Sequence, residues 1–219
     1  MTCLSANAAT TLLLLRHGEI PQAAPSRFVG QRDLPLTERG QAQAQAWSRH
    51  LAALPLASAW CSDLVRCRHT AALALAGAPL AATTLPALRE IHLGGWEGLT
   101  VDEVRQRFPG EHEKRGADLA HTIPSGGESF AQAQHRFWDA LTHIARQGPG
   151  LALVVAHGGV IRAALCRLLG LRLDSLFRLG QDYCGLNIVT FPAPGDAHVR
   201  AMNLAPIDAA GMLEELRTG

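Results

Sequence analysis

The sequence predicts an α/β protein: a three-layer α/β/α sandwich around a mainly parallel sheet with an antiparallel edge. Two apolar runs, Leu12 to Leu15 and Leu151 to Ala156, pass directly into Arg16-His17-Gly18-Glu19 and His157-Gly158-Gly159. A parallel strand covered on both faces reads as an unbroken apolar run, and ligands bind beyond its carboxyl end. Strand-like and helix-like segments alternate between the two runs, as a sheet with crossover helices requires. Near the C-terminus, Leu186 to Phe191 and His198 to Met202 alternate around Pro192, Pro194 and Gly195, which describes a hairpin at the sheet edge.

Taken in order, the polar stretch after the first strand carries Pro21, Pro25, Gly30 and Pro35 and is a loop. Thr37 is placed to cap a helix running to about Leu54. Ala57 to Cys61 forms the second strand, and Ser62 or Asp63 caps a helix that stops at Gly77. A short strand around Thr83 to Leu85 leads to Leu88-Arg89-Glu90-Ile91. Gly94 to Gly126 is weakly periodic, with one short helix near Val101 to Phe108, and forms a lid-like excursion over the sheet. Glu128 to Ala145 is helical, and a last helix runs from Val160 to Leu169 and ends at Gly170.

With 219 residues, 47% of them hydrophobic, the chain supports one domain spanning residues 1–219. A formal net charge of +1, with both signs interspersed, gives no global field for nucleic acid or an anionic membrane. Five scattered cysteines without a Cys-x-x-Cys suit reduced thiols and argue against disulfides or a zinc knuckle. The first apolar run is too short for a secretion signal, and no segment has membrane-spanning length. The expectation is a soluble cytoplasmic protein. The strand at Leu186 to Phe191 is expected to lie exposed and to offer an edge for pairing across a homodimer.

At strand ends and adjoining helix starts stand Arg16, His17, Arg66, Glu90 and His157. Planar guanidinium forks suit tetrahedral oxyanions, an imidazole can act as a nucleophile, and a carboxyl group can move a proton. That set describes phosphoryl transfer through histidine. Gly158 and Gly159 permit a tight turn and free backbone amides for an anion at a helix N-terminus. Glu97, also beside a glycine, competes with Glu90, whereas Arg68 is expected to face away from Arg66. Arg105, Arg107, Lys114 and Arg115 either line a substrate entrance or form a solvated face. Glu111-His112-Glu113 matches no common metal-ligand spacing.

Six motifs in order resemble the histidine phosphatase superfamily, which holds the cofactor-dependent phosphoglycerate mutases and many small phosphatases. They are Leu15 to Glu19, Asp33 to Gly40, Ser62 to Ala71, Arg89 to Gly98, Ser125 to Ser129 and Val155 to Gly159. The resemblance implies His17 as nucleophile, Glu90 as proton donor and acceptor, and Arg16, Arg66 and His157 as a phosphate clamp. No metal and no cofactor enter that scheme. Ile20 and Ala23 stand where the family often has Thr and Asn, so Ser26, Gln31 or a backbone amide is left to complete the phosphate contacts.

Only Ile91 to Ala156 separates Glu90 from His157, shorter than in the mutases, and a small lid favours hydrolysis over retention of a bisphosphate. The expected activity is therefore phosphatase action on a small phosphorylated metabolite. Ile123 to Ser129, Gly158 to Arg162 and Phe177 to Gly185 resemble the α-ribazole phosphatase group, which implies α-ribazole 5′-phosphate as substrate. A phosphoglycerate mutase, a broad-specificity phosphomonoesterase and a non-catalytic phospholigand-binding module are the alternatives.

Overall fold

The computed structural model describes residues 9–22, 24–193 and 196–218. Leucines 12–15 lie in β1 (Thr10–Arg16), and all four are wholly buried, because the strand has helices on both faces. Leu12 and Leu14 pack with one cluster, Leu13 and Leu15 with the other, as the two-residue period of a strand dictates. β4 (Gly150–Ala156) pairs parallel with β1 on one side and with β2 (Leu56–Cys61) on the other. β3 (Thr83–Thr84) extends the parallel part beside β2. β5 (Leu186–Ala193) and β6 (Asp196–Leu204) add antiparallel strands, giving the order β3-β2-β4-β1-β5-β6.

α1 (Glu38–Gln45), α2 (Ser48–Ala52) and α3 (Val65–Ala74) cover one face together with α8 (Pro206–Thr218). α6 (Phe130–Ala145) and α7 (Gly158–Leu168) cover the other, with α4 (Val101–Arg107) packed beside them. The chain leaving β1 therefore turns to one face while the chain leaving its neighbour β4 turns to the other. That divergence opens a crevice at the carboxyl ends of the two strands.

Several expectations are corrected. The helix capped by Thr37 does begin there, the threonine hydroxyl accepting from the Gly40 N–H at 3.0 Å, but it divides at Trp47. The Trp47 N–H bonds to the Ala44 carbonyl at 3.2 Å, a tightened turn, and the buried indole donates to the Cys184 carbonyl at 2.9 Å. A buried indole N–H needs such an acceptor. Neither Ser62 nor Asp63 is the N-cap of α3. Leu64 holds that position, and Asp33, from the loop after β1, accepts from the Val65 N–H at 2.6 Å. Asp63 is instead bonded to Arg89.

The stretch from 94 to 126 holds a second helix, α5 (Glu111–Ala117), and α8 closes the chain. β5 is not an exposed edge: it is paired on both sides, and Leu186, Ile188 and Val189 are fully buried. The homodimer pairing expected there has no free strand to use; the antiparallel edge is β6. Cys3, Ala23, Pro194 and Gly195 lie outside the described residues. Among the described residues, no helix is long and apolar enough to cross a membrane.

Candidate active site

β1 delivers Arg16 and His17 into the crevice, β4 delivers His157, and the first turn of α3 adds Arg66. Close backbone approach allows this. A side chain at Gly18 would run into the Gly40 carbonyl, and one at Gly40 into the backbone of Glu19. The His17 ring is 4% exposed, and its Nδ1 lies 2.8 Å from the Gly18 carbonyl oxygen. A carbonyl only accepts, so Nδ1 carries the proton and Nε2 is left with its lone pair. The His157 ring stands edge-on to it at 5.2 Å between centroids. His157 Nδ1 accepts from Arg66 Nε at 3.1 Å, which places the proton of the neutral ring on Nε2.

Arg66 is 1% exposed and held on three sides, its Nη1 and Nη2 donating to the Arg32 and Gly30 carbonyls, each at 2.6 Å. Arg16 donates from Nη1 to the Gln181 carbonyl at 2.6 Å and lies 3.9 Å over the Tyr183 ring. Its Nε is buried without a partner, a donor kept free in the crevice. Glu90 enters from the segment between β3 and α4. Its carboxylate accepts from Gly159 N at 2.8 Å, from Val160 N at 3.0 Å and from Ile91 N at 2.9 Å. The anion at the start of α7 is thus Glu90 itself, as the positive end of a helix favours.

Arg16, His17, Arg66, Glu90 and His157 therefore gather in one crevice, and Gly158 lies against the Arg16 guanidinium. A family model for the histidine phosphatase superfamily (branch 1) matches residues 12–204. The chain belongs to that superfamily. Its enzyme class is that of the phosphoric monoester hydrolases.

This histidine phosphatase is 32% identical over 174 residues to the adenosylcobalamin/alpha-ribazole phosphatase of Escherichia coli (strain K12), an alignment covering 78% of this chain and 85% of the relative. It is 37% identical over 180 residues to the glucosyl-3-phosphoglycerate phosphatase of Mycolicibacterium vanbaalenii, covering 77% of this chain and 78% of that one. The crystal structure of the alpha-ribazole phosphatase from Shigella flexneri superposes with a TM-score of 0.80 at 28% identity, covering 89% of this chain and 96% of that chain.

Glu97 and Glu90, alike in sequence context, are separated by the fold. The Glu97 carboxylate accepts from the backbone N–H groups of Gly30, Gln31 and Arg32 at 3.0, 2.7 and 3.3 Å. It therefore holds the loop whose Gly30 and Arg32 carbonyls grip Arg66. Glu97→Ala is expected to lower stability by about 2–3 kcal/mol, since hydrogen bonds to a charged acceptor are lost. Inhibition by inorganic phosphate should weaken with it, and Glu97→Asp should restore part of both. Denaturant melts and phosphate inhibition constants would check this, and an unchanged inhibition constant would show the loop to be independent of Arg66.

Gln31 turns its side chain to the protein, its amide donating to the Glu90 carbonyl at 2.9 Å and its oxygen accepting from Arg89 at 3.4 Å. Arg136 grips the same segment, donating to the carbonyls of Ala87, Arg89 and Glu90 and pairing with Glu128. Tyr183, Gln181 and Arg136 are positioning groups that sequence alone did not single out, and Glu97, read there as a competitor of Glu90, is another positioning group. Of the four basic residues in the excursion, Arg105, Arg107 and Lys114 are exposed, while Arg115 is buried at the edge of the crevice. Arg68 is exposed. Glu111 is used structurally, accepting from the Trp96 indole and from Ser125. Among the described residues, no group of three or more His, Cys, Asp or Glu side chains is placed to hold a metal.

Burial, then the charges of Arg66 and Arg16, push the His17 pKa well below 6.5; for His157, burial comes first, followed by Arg66 and the neighbouring His17. Both rings are neutral at pH 7. In the unfolded chain they titrate near 6.5, so below that pH the unfolded state binds more protons. The stability contributed by the neutral rings is complete above pH 6.5 and lost as the pH falls towards the folded-state values. Each ring is expected to add a slope of about 1.4 kcal/mol per pH unit in that window. Denaturant melts from pH 8 to 5 would measure it, with His17→Asn removing one share.

Proposed function

We propose that the chain hydrolyses small phosphomonoesters without a metal, through a phosphohistidine formed on His17. The strongest support is the tautomer of His17, whose Nδ1–H is spent on Gly18 while Nε2 stays unprotonated in a crevice lined by guanidinium groups. In the first step Nε2 attacks phosphorus and the P–O ester bond breaks. Arg16, Arg66 and His157 Nε2–H stabilise the charge on the transferring oxygens, and the leaving oxygen takes a proton from Glu90.

In the second step water attacks the phosphohistidine, gives its proton to the Glu90 carboxylate, and the N–P bond breaks to release orthophosphate. Glu90 can exchange that proton at Oε2, which accepts one backbone bond where Oε1 accepts two. Gly158 lies close to Arg16 at the phosphate site, and Gln31, its side chain bonded to the Glu90 carbonyl and Arg89, supports that site without supplying the phosphate contact expected of it. In this scheme residues 1–219 act as one domain, with 94–126 as a lid-like wall.

Hydrolysis of 4-nitrophenyl phosphate in excess chelator tests the chemistry, with undiminished turnover expected. Dependence on added divalent metal would overturn the scheme. Release of orthophosphate from a panel containing α-ribazole 5′-phosphate and both phosphoglycerates tests the substrate and the reaction. Isomerisation of phosphoglycerate without release would instead identify a mutase.

A further inference from the structure

Beside Glu90 lies a cavity of about 410 Å³, within the range of small-molecule sites. Arg16, Glu90, Gly158 and Gly159 also line it, so it is continuous with the crevice and is where a leaving group would rest. Another wall comes from the excursion, through Trp96, His112, Arg115 and Leu119, with Phe130 beside them.

Arg115 is the unusual member. It is 8% exposed, and its guanidinium lies 5.1 Å from the Phe130 ring centre and 5.6 Å from that of Trp96. Its Nη1 is buried with no hydrogen-bond partner, and no carboxylate among the described residues pairs with it. Arg16, whose Nε is also buried without a partner, is the guanidinium that the scheme above gives to the phosphate, and the remaining charged groups of the cavity each have a hydrogen-bond partner. Arg27 bonds Glu103 and the Gly98 carbonyl, Arg162 donates to the Leu179 carbonyl, and Glu90 is held by three backbone N–H groups.

Ring faces offset only part of the desolvation of a guanidinium. A buried cation with free donors and no counter-ion is completed by an anion that enters with the ligand. Of the four arginines lining the cavity, Arg16 is given to the phosphate, Arg27 is paired with Glu103 and Arg162 is bonded to a carbonyl, so Arg115 is the one left with no partner, and its single charge matches that of a carboxylate better than that of a second phosphate. We propose that Arg115 is a leaving-group anion subsite, and that the preferred substrates are phosphomonoesters carrying a carboxylate on a compact apolar or aromatic body. This rests on the phosphatase scheme above and narrows its substrate class. α-Ribazole, a leaving group without a carboxylate, would then be a poorer fit.

The test compares kcat/KM for 3- and 4-carboxyphenyl phosphate with the matching neutral carboxamides, alongside phenyl phosphate and α-ribazole 5′-phosphate. For at least one isomer the carboxylate is expected to be preferred by about 10- to 100-fold, the worth of one charge-assisted hydrogen bond. The preference should lie chiefly in KM. In Arg115→Met that ratio should fall towards one, and Arg115→Lys should keep part of it. A wild-type ratio near one for both isomers overturns the subsite without any variant, and so does an Arg115→Met enzyme that keeps the full ratio. If Arg115→Met does not fold, the wild-type ratio and Arg115→Lys decide. Failure to hydrolyse phenyl phosphate would strike the phosphatase scheme, whereas hydrolysis with no carboxylate preference would strike the subsite alone.

Discussion

His17→Asn is expected to lower kcat by on the order of 10⁴- to 10⁶-fold, the scale on which removing a covalent nucleophile acts. Asparagine keeps a polar group of similar reach in the buried crevice, so the loss reports chemistry more than collapse. In the wild type, rapid alkaline quench with labelled substrate should trap an acid-labile, base-stable phosphoryl group in a stoichiometry approaching one per chain. In the variant it should vanish. An adduct that persisted in His17→Asn would move the nucleophile elsewhere, and His157 is a poor alternative because its Nδ1 is already bound to Arg66 Nε. The depressed His17 pKa adds a second signature. The ring is a free base well below pH 6.5, so the acid limb of kcat/KM is expected below that of an ordinary histidine.

Glu90→Gln is expected to cost about 10²- to 10⁴-fold with alkyl phosphates, whose leaving alkoxide needs a proton. With 4-nitrophenyl phosphate the first step should be nearly spared, because nitrophenolate leaves unprotonated. Water activation would still be impaired, so a burst of nitrophenolate followed by accumulation of the phosphohistidine is the expected trace. Equal losses with both substrate types, and no burst, would count against a proton-transfer role. The substitution has a structural side as well. The amide NH₂ would face one of the N–H groups that now donate to the carboxylate, a loss of about 1–3 kcal/mol in stability. Thermal melts separate that effect from the chemistry.

Much of the scaffold was legible because it obeys local rules. Leu12 to Leu15 and Leu151 to Ala156 are buried on both faces and show it in composition. Thr37 caps its helix by a bond spanning three residues. Non-local exchanges were not legible. The side chain that accepts from the first N–H of α3 is Asp33, 32 residues before Val65, and no helix-start pattern contains it. The helix at Trp47 is divided by an acceptor on Cys184, 137 residues away. The polarity of Glu111 to Ala117 hid α5, a helix with only Arg115 buried. β5 looked like an edge because β6 was read as a shorter segment and pairing on both sides cannot be seen along one strand.

The candidate site divides in the same way. Arg16, His17, Glu90, Arg66 and His157 were identifiable because reactive residue types follow apolar runs or begin helices, and those positions point into a crevice whichever way the details fall. The sequence thus determined the layered fold and the chemical inventory of the crevice, since both depend on periodicities and motif order carried by neighbouring residues. Tertiary structure alone decided which of two similar glutamates faces the reaction centre and which one ties down the loop under Arg66. It also decided which histidine nitrogen is free, and that one of four basic residues in the excursion is buried without a counter-ion. The two glutamates are sorted by partners from distant parts of the chain, the His17 tautomer by how the backbone turns at the adjacent Gly18, and the burial of Arg115 by rings packed over it, and sequence spacing records none of these three-dimensional relations.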